Sequence, residues 1–163
     1  MNGHEIAFAV VAVLGLFAAF RVVTTDNVVH GALYLVLTLG SVAGVYLVLG
    51  AEFVAWVQVL IYVGAVVVLL LFGLMLTKAP IGPHALDNQQ RILAALVALA
   101  VFGGLAALIV DGFKGETGAS ASTSAQIGTS IFSDWVLPFE IVSILLLAAL
   151  VGAVVIARKD DDG

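Results

Sequence analysis

The sequence predicts an all-α integral membrane protein with five transmembrane helices, the N-terminus outside and the C-terminus cytoplasmic. Three observations lead there. The 163 residues are 63% hydrophobic and only 10% charged, against about 45–50% and about 25% in a soluble domain. The mean hydropathy is +1.21. The charges lie at the edges of uncharged runs at 6–20, 27–51, 53–77, 92–110 and 141–157. A helix crosses the hydrocarbon core with about 20 apolar residues, within a range of roughly 17–25. The short alternating segments of a membrane β-barrel do not occur.

The spans follow in order. The first run is short unless the helix covers 3–23 and Arg21 extends its stem to the headgroups. Glu5 stands where a signal peptide would carry its positive region, so this helix is expected to be retained. Asp26-Asn27 marks a turn before a second span over 28–50. Gly50-Ala51-Glu52 leaves almost no loop before a third span over 53–76, so these two helices are expected to pair as an antiparallel hairpin. Pro80-Ile81-Gly82-Pro83 ends the third span. A fourth covers 91–111 and a fifth 135–157, which carries Glu140 in its first turns. Between them, the Gly/Ser/Ala-rich stretch 112–134 reads as an external linker with little structure of its own. A single five-helix domain is thus expected over 1–158, with 159–163 a disordered tail.

An odd number of spans puts the termini on opposite sides. One face then holds Arg21, Lys78, Arg91, Arg158 and Lys159, and the other only Lys114. That bias places the C-terminus in the cytoplasm, or in the matrix of a mitochondrion.

Several functions are excluded by composition. With no Cys and three His, the chain cannot hold a Cys-ligated Fe–S cluster or a Cys-rich zinc site. Its net charge of -5 provides no basic patch for nucleic acid. There is no Gly-rich phosphate loop, no Ser/His/Asp set and too few His for haem pairs. No acid stands at mid-membrane depth, so a proton path through this bundle must borrow its central ionisable group from another chain.

The polar content of the third span is its main signal. Gln58 and Tyr62 are four apart and share a helix face. A phenol or amide at that depth loses its hydrogen bonds in lipid, so the face is expected to meet protein or internal water. Gly64 is a weak point in the helix, with a propensity about 1 kcal/mol below that of Ala. Flanked by Val63 and by Ala65-Val66, it suits either a register defect such as a π-bulge or the close approach of a neighbouring helix. Glu140 follows Pro138 at a helix start, where a carboxylate complements the dipole, and Glu52 heads the third span in the same way. His30 reads as an interfacial imidazole, and Tyr34 and Tyr46 read as either belt or core residues. Gly40-x-x-x-Gly44, Gly103-Gly104 and Ala149-x-x-x-Ala153 beside Gly152 are small-residue patterns that favour close helix packing.

Three stretches resemble a known family. They are Asn27-Val28-Val29-His30-Gly31-Ala32-Leu33-Tyr34-Leu35, Leu49-Gly50-Ala51-Glu52-Phe53, and Gln58 through Val66, whose Tyr62-Val63-Gly64-Ala65 is the most specific part. With Leu137-Pro138-Phe139-Glu140-Ile141 and Ala149-Leu150-Val151-Gly152-Ala153, they are similar to subunit J of NADH-quinone oxidoreductase, the counterpart of mitochondrial NADH dehydrogenase subunit 6 in respiratory complex I. The match covers roughly 20–80 and 127–158.

The resemblance implies a subunit without redox centres in the membrane arm of a proton-pumping complex. That complex would hold FMN and Fe–S clusters and use NADH and quinone. The implied partners are other complex I membrane subunits, especially those named K and H, the latter from the quinone module, in a bacterial plasma membrane. It further implies a π-bulge in the third helix near Tyr62 and Gly64, with Val63, Ala65 and Val66 in the switching segment and Gln58, Glu52 and Glu140 as secondary candidates. Changes in such a bulge would open or close a hydrated path that couples quinone reduction to proton translocation. A subunit of a cation/proton antiporter complex and a structural membrane scaffold are the competing readings; an antiporter helix would be expected to carry mid-membrane Lys, Glu or Asp.

Overall fold

A computed structural model describes residues 2–77, 91–114 and 122–158. Among them every regular element is helical: α1 (Gly3–Thr24), α2 (Val28–Val48), α3 (Glu52–Val57), a π-helix (Gln58–Val66), α4 (Val67–Leu76), α5 (Arg91–Gly112), α6 (Ser124–Ser133) and α7 (Val136–Ala157). Five helices are long and apolar enough to cross a membrane: Gly3–Thr24, Val28–Val48, Glu52–Leu76, Ile92–Gly112 and Val136–Ala157. Each lies within two or three residues of a span expected from the charge pattern. The Pro80–Pro83 break, linker residues 115–121 and the tail 159–163 lie outside the described residues.

The chain divides into two compact units, 1–121 and 122–163. In the first, α2 packs against α1 on one side and against the third span, α3 to α4, on the other. Local chemistry fixes each end. The Glu5 carboxylate accepts a hydrogen bond from the Asn2 N–H at 3.1 Å, closing the start of α1. The Asn27 side chain caps α2, its Oδ1 accepting from the N–H groups of Val29 at 2.9 Å and His30 at 3.3 Å. The α2–α3 turn is a Schellman motif. Gly50 has φ 76, its N–H donates to Leu47 O at 3.0 Å, and the Ala51 N–H reaches back to Tyr46 O at 2.9 Å. A side chain at Gly50 would strain this left-handed position, so glycine is what permits so short a hairpin.

The packed interior is thin and made of small groups. Ala18, Ala32, Ala43, Ala55, Gln58 and Val67 are buried. No hydrophobic drive operates between helices in lipid, so close approach of small residues takes its place. A Cβ on Gly15 would stand 3.0 Å from the Ser41 Cβ, and one on Gly44 would stand 3.0 Å from a Val11 methyl. Of the Gly40/Gly44 pair, only Gly44 marks a contact within this chain; Gly40, Gly103, Gly104 and Gly152 have open space around them. Arg21 does not simply reach for headgroups: its guanidinium lies over the Tyr34 ring, 5.3 Å from the centroid. That contact ties the end of α1 to α2.

The second unit corrects the reading of 112–134 as a linker with little structure. Ser124–Ser133 forms α6. Its start is a capping box: Gln126 Oε1 accepts from the Thr123 N–H at 2.9 Å and Thr123 Oγ1 from the Gln126 N–H at 3.3 Å. The half-buried face holds Ile127, Ser130 and Ile131, and α6 packs on α7, where the Phe132 and Phe139 rings meet edge to face at 5.2 Å. Hydrogen bonds from the Asp134 and Trp135 N–H groups to Ser130 O, at 3.0 and 3.1 Å, turn the chain sharply into α7.

Candidate functional site in the third span

The third span is one helix whose bonding changes twice. It runs as α-helix over Glu52–Val57, as π-helix over Gln58–Val66, and as α-helix again over Val67–Leu76. A π-helix bonds i→i+5 in place of i→i+4, so its rings hold one residue more, and such segments cluster at functional positions. At the far end the Val67 N–H donates to Tyr62 O, a five-residue step. The expected defect at Tyr62–Val66 thus falls inside a π segment that begins four residues earlier, at Gln58.

The sequence reasons for this placement are local. Gly64 lacks a side chain, and a Cβ built there meets only the Val59 carbonyl oxygen, at 3.4 Å. That oxygen lies five residues back in the same segment, and among the described residues no other helix comes within 4 Å. Gly64 thus lies within the π segment, with no contact to another helix among the described residues. Val63, Val66 and Val67 are β-branched and restrict χ1 against the preceding turn, which weakens regular α-helix.

Gln58 is the buried polar side chain among the described residues, 9% exposed. Its amide Nε2 lies 3.5 Å from Leu39 O of α2, a long hydrogen bond. Tyr62 is 48% exposed. Gln58 and Tyr62 therefore do not share one inward face, as a spacing of four predicts for an α-helix. The extra residue per π turn carries Tyr62 away from α2, and Val63, half-buried, takes the inward side.

The two acids separate. Glu52 occupies the first turn of α3, as expected. Glu140 does not sit in the first turn of α7, which holds no acidic residue. It is exposed one turn farther along, past the positions where it would complement the helix start. Neither acid lies near the π segment in sequence, and among the described residues no group of three or more His, Cys, Asp or Glu could hold a metal ion. The chemistry this arrangement offers is that of a hydroxyl beside an irregular stretch of backbone. A phenol both donates and accepts hydrogen bonds.

Comparison with known proteins bears on this geometry. The sequence model of the NADH-ubiquinone/plastoquinone oxidoreductase chain 6 family matches residues 18–156, a range that contains the whole π segment. The chain is 43% identical to the NAD(P)H-quinone oxidoreductase chain 6 of Leptolyngbya boryana, over 95% of this chain and 80% of that one. It is 41% identical to the protein of the same name from Synechocystis sp., over 95% of this chain and 81% of the relative. It is 39% identical to the F(420)H(2) dehydrogenase subunit J of Methanosarcina mazei, over 94% of this chain and 90% of that subunit.

Proposed function

We propose, for a chain that belongs to the NADH-ubiquinone/plastoquinone oxidoreductase chain 6 family, that its third span gates a hydrated path joining quinone reduction to proton translocation. Membership makes the chain a multi-pass membrane subunit of a quinone oxidoreductase complex, and its partners include other subunits of that complex. The observation that carries the further step is the π-helical segment Gln58–Val66 in the middle of a membrane-spanning helix, with the Tyr62 phenol half exposed on it.

The physics supports a gate. Bonding in steps of five ends with the Val67 N–H on Tyr62 O, and a return to steps of four then passes over one carbonyl, that of Val63. A backbone carbonyl without a donor is costly in hydrocarbon. In the proposed gate, water or a neighbouring subunit satisfies it. When the segment returns to regular α-helix the free carbonyl disappears, and with it the reason for water to be there. The two forms differ by shifted hydrogen bonds, on the order of a few kcal/mol. An event at the quinone site that favours one form by that amount opens or closes the path.

The acids that hold protons along the path belong to neighbouring subunits, since this chain has none at mid-depth. Electrons pass through the FMN and Fe–S centres of other chains. The partners in contact are the subunits equivalent to K and H, the N-terminus is outside, and the membrane is a bacterial plasma membrane, with Arg21, Arg158 and Lys159 on the cytoplasmic face.

The test uses the assembled complex carrying Tyr62→Phe and, separately, Gly64→Val. Both are expected to assemble. Tyr62→Phe is expected to lower proton pumping several-fold, because a link in the water chain is gone. Gly64→Val is expected to shift the helix toward one register and to lower turnover. Pumping and quinone reduction at the normal rate in both variants would refute the gate.

A further inference from the structure

An apolar groove of about 290 Å³ opens where the end of α1, the start of α2 and the end of the third span come together. Its floor is one side of α2 between Val28 and Leu35, and its low point is the small pair Gly31 and Ala32. Val22 of α1 stands on one side, Leu70 and Leu74 of α4 on the other. A Cβ on Gly31 would stand 3.3 Å from the Thr25 Cγ2, so the missing side chain is what keeps the floor low. Farther along α2 the gap is closed. Ala43 and Ala55 are buried there, and the Gln58 amide lies on Leu39 O. The groove is thus a wedge about 10 Å long, roughly a third of the hydrocarbon thickness. A transmembrane helix, about 10–12 Å across with its side chains, needs a seat along its whole crossing. A wedge this short and narrow suits a single hydrocarbon chain.

The same end of the helix pair carries a cation. Arg21 precedes Val22 and Tyr34 precedes Leu35, so the guanidinium stacked over the Tyr34 ring belongs to the turns that line the groove. It stands one turn before α1 ends at Thr24, the depth at which a span meets the headgroups. Among the described residues the ion pair is Lys114 with Asp111, so no described carboxylate answers the Arg21 charge. Asp26, the acid of the α1–α2 turn, is exposed and does not line the groove. A guanidinium lying flat on a ring keeps its N–H edge open, and that edge matches the oxygens of a phosphate. We propose that this end of the α1–α2 pair is a binding site for one membrane phospholipid, with the lipid phosphate on Arg21 and one acyl chain in the groove between Leu35 and Leu70. Tyr34 is the positioning residue that holds the guanidinium for the phosphate. Neither contact involves the π segment.

The test takes the assembled complex in bilayer discs of phosphatidylglycerol. A density map is recorded, and the phosphatidylglycerol retained after a detergent wash is counted by native mass spectrometry. The map is expected to show a phosphate about 3 Å from the Arg21 guanidinium and an acyl chain running between Leu35 and Leu70. Leu70→Trp fills the groove from its wall and is expected to remove one retained lipid together with that chain. Leu69→Trp adds the same bulk at a position 72% exposed and outside the lining, and is expected to change nothing. Arg21→Gln removes the charge and is expected to weaken retention about tenfold. Leu70 stands on α4, outside the α1–α2 contact, so its variant decides even where Arg21→Gln does not assemble. A helix or side chain of another subunit filling the groove, a chain in the groove with no phosphate at Arg21, or retention unchanged by Leu70→Trp or by Arg21→Gln would each overturn the site.

Discussion

Asn27 and Gly50 show how much one residue decides in this chain. Asn27 supplies an acceptor to two N–H groups that α2 cannot satisfy itself. Asn27→Ala is expected to cost about 1 kcal/mol, read as a lower melting temperature of the detergent-solubilised complex. Gly50 holds φ 76, so Gly50→Ala is expected to lose about 1–2 kcal/mol and to lower the yield of assembled complex. Both residues stand at turns, where sequence is most legible, and Asp26-Asn27 and Gly50-Ala51-Glu52 mark both turns where the structure has them. Glu140 is less legible. Pro138-Phe139-Glu140 resembles a helix start, but Trp135 carries the cap position and α7 is already under way when Glu140 is reached. The hydrogen bonds to Ser130 O that fix that start leave no mark in the residues around Glu140.

At the level of elements, the five apolar spans are legible because charge and hydrocarbon thickness leave few alternatives. A one-residue change of bonding inside a span leaves hydropathy untouched. Only Gly64 among β-branched neighbours hints at it, and the start at Gln58 is invisible because nothing distinguishes Gln58 from an ordinary polar helix residue. Helix α6 is obscured for a different reason. Low-complexity Ser, Thr and Ala residues mask Thr123-x-x-Gln126, a capping signature, and Ile127 and Ile131 at helical spacing. Thr123→Ala is expected to destabilise α6 by about 1 kcal/mol, visible as faster hydrogen exchange over 124–130 with α7 unchanged. The α1–α2 contact makes a sharper demand. A Cβ at Gly44 already stands 3.0 Å from Val11, so Gly44→Leu is expected to force the helices apart by overpacking, at about 1–3 kcal/mol or more, and to block assembly.

For the whole molecule, every described span exposes large apolar side chains, among them Leu16, Leu37, Leu69, Leu108 and Leu146. Lipid and partner subunits cover them in the complex. Purified through a tag on this chain, the complex is expected to carry flavin and Fe–S absorbance, while the chain expressed alone shows none; redox absorbance from the isolated chain would contradict a redox-silent role. Relatives named for NAD(P)H and for F(420)H(2) share this subunit at similar identity.

The alanines along α2 carry one more consequence. Ala18, Ala32, Ala43 and Ala55 are all buried, and they present methyl groups where interlocking side chains would form a ratchet with deep notches. Surfaces so smooth slide past one another without prying the backbones apart. The gate proposed for the third span needs a low barrier to twisting, and methyl surfaces of this kind suit collective helix shifts on the microsecond-to-millisecond scale.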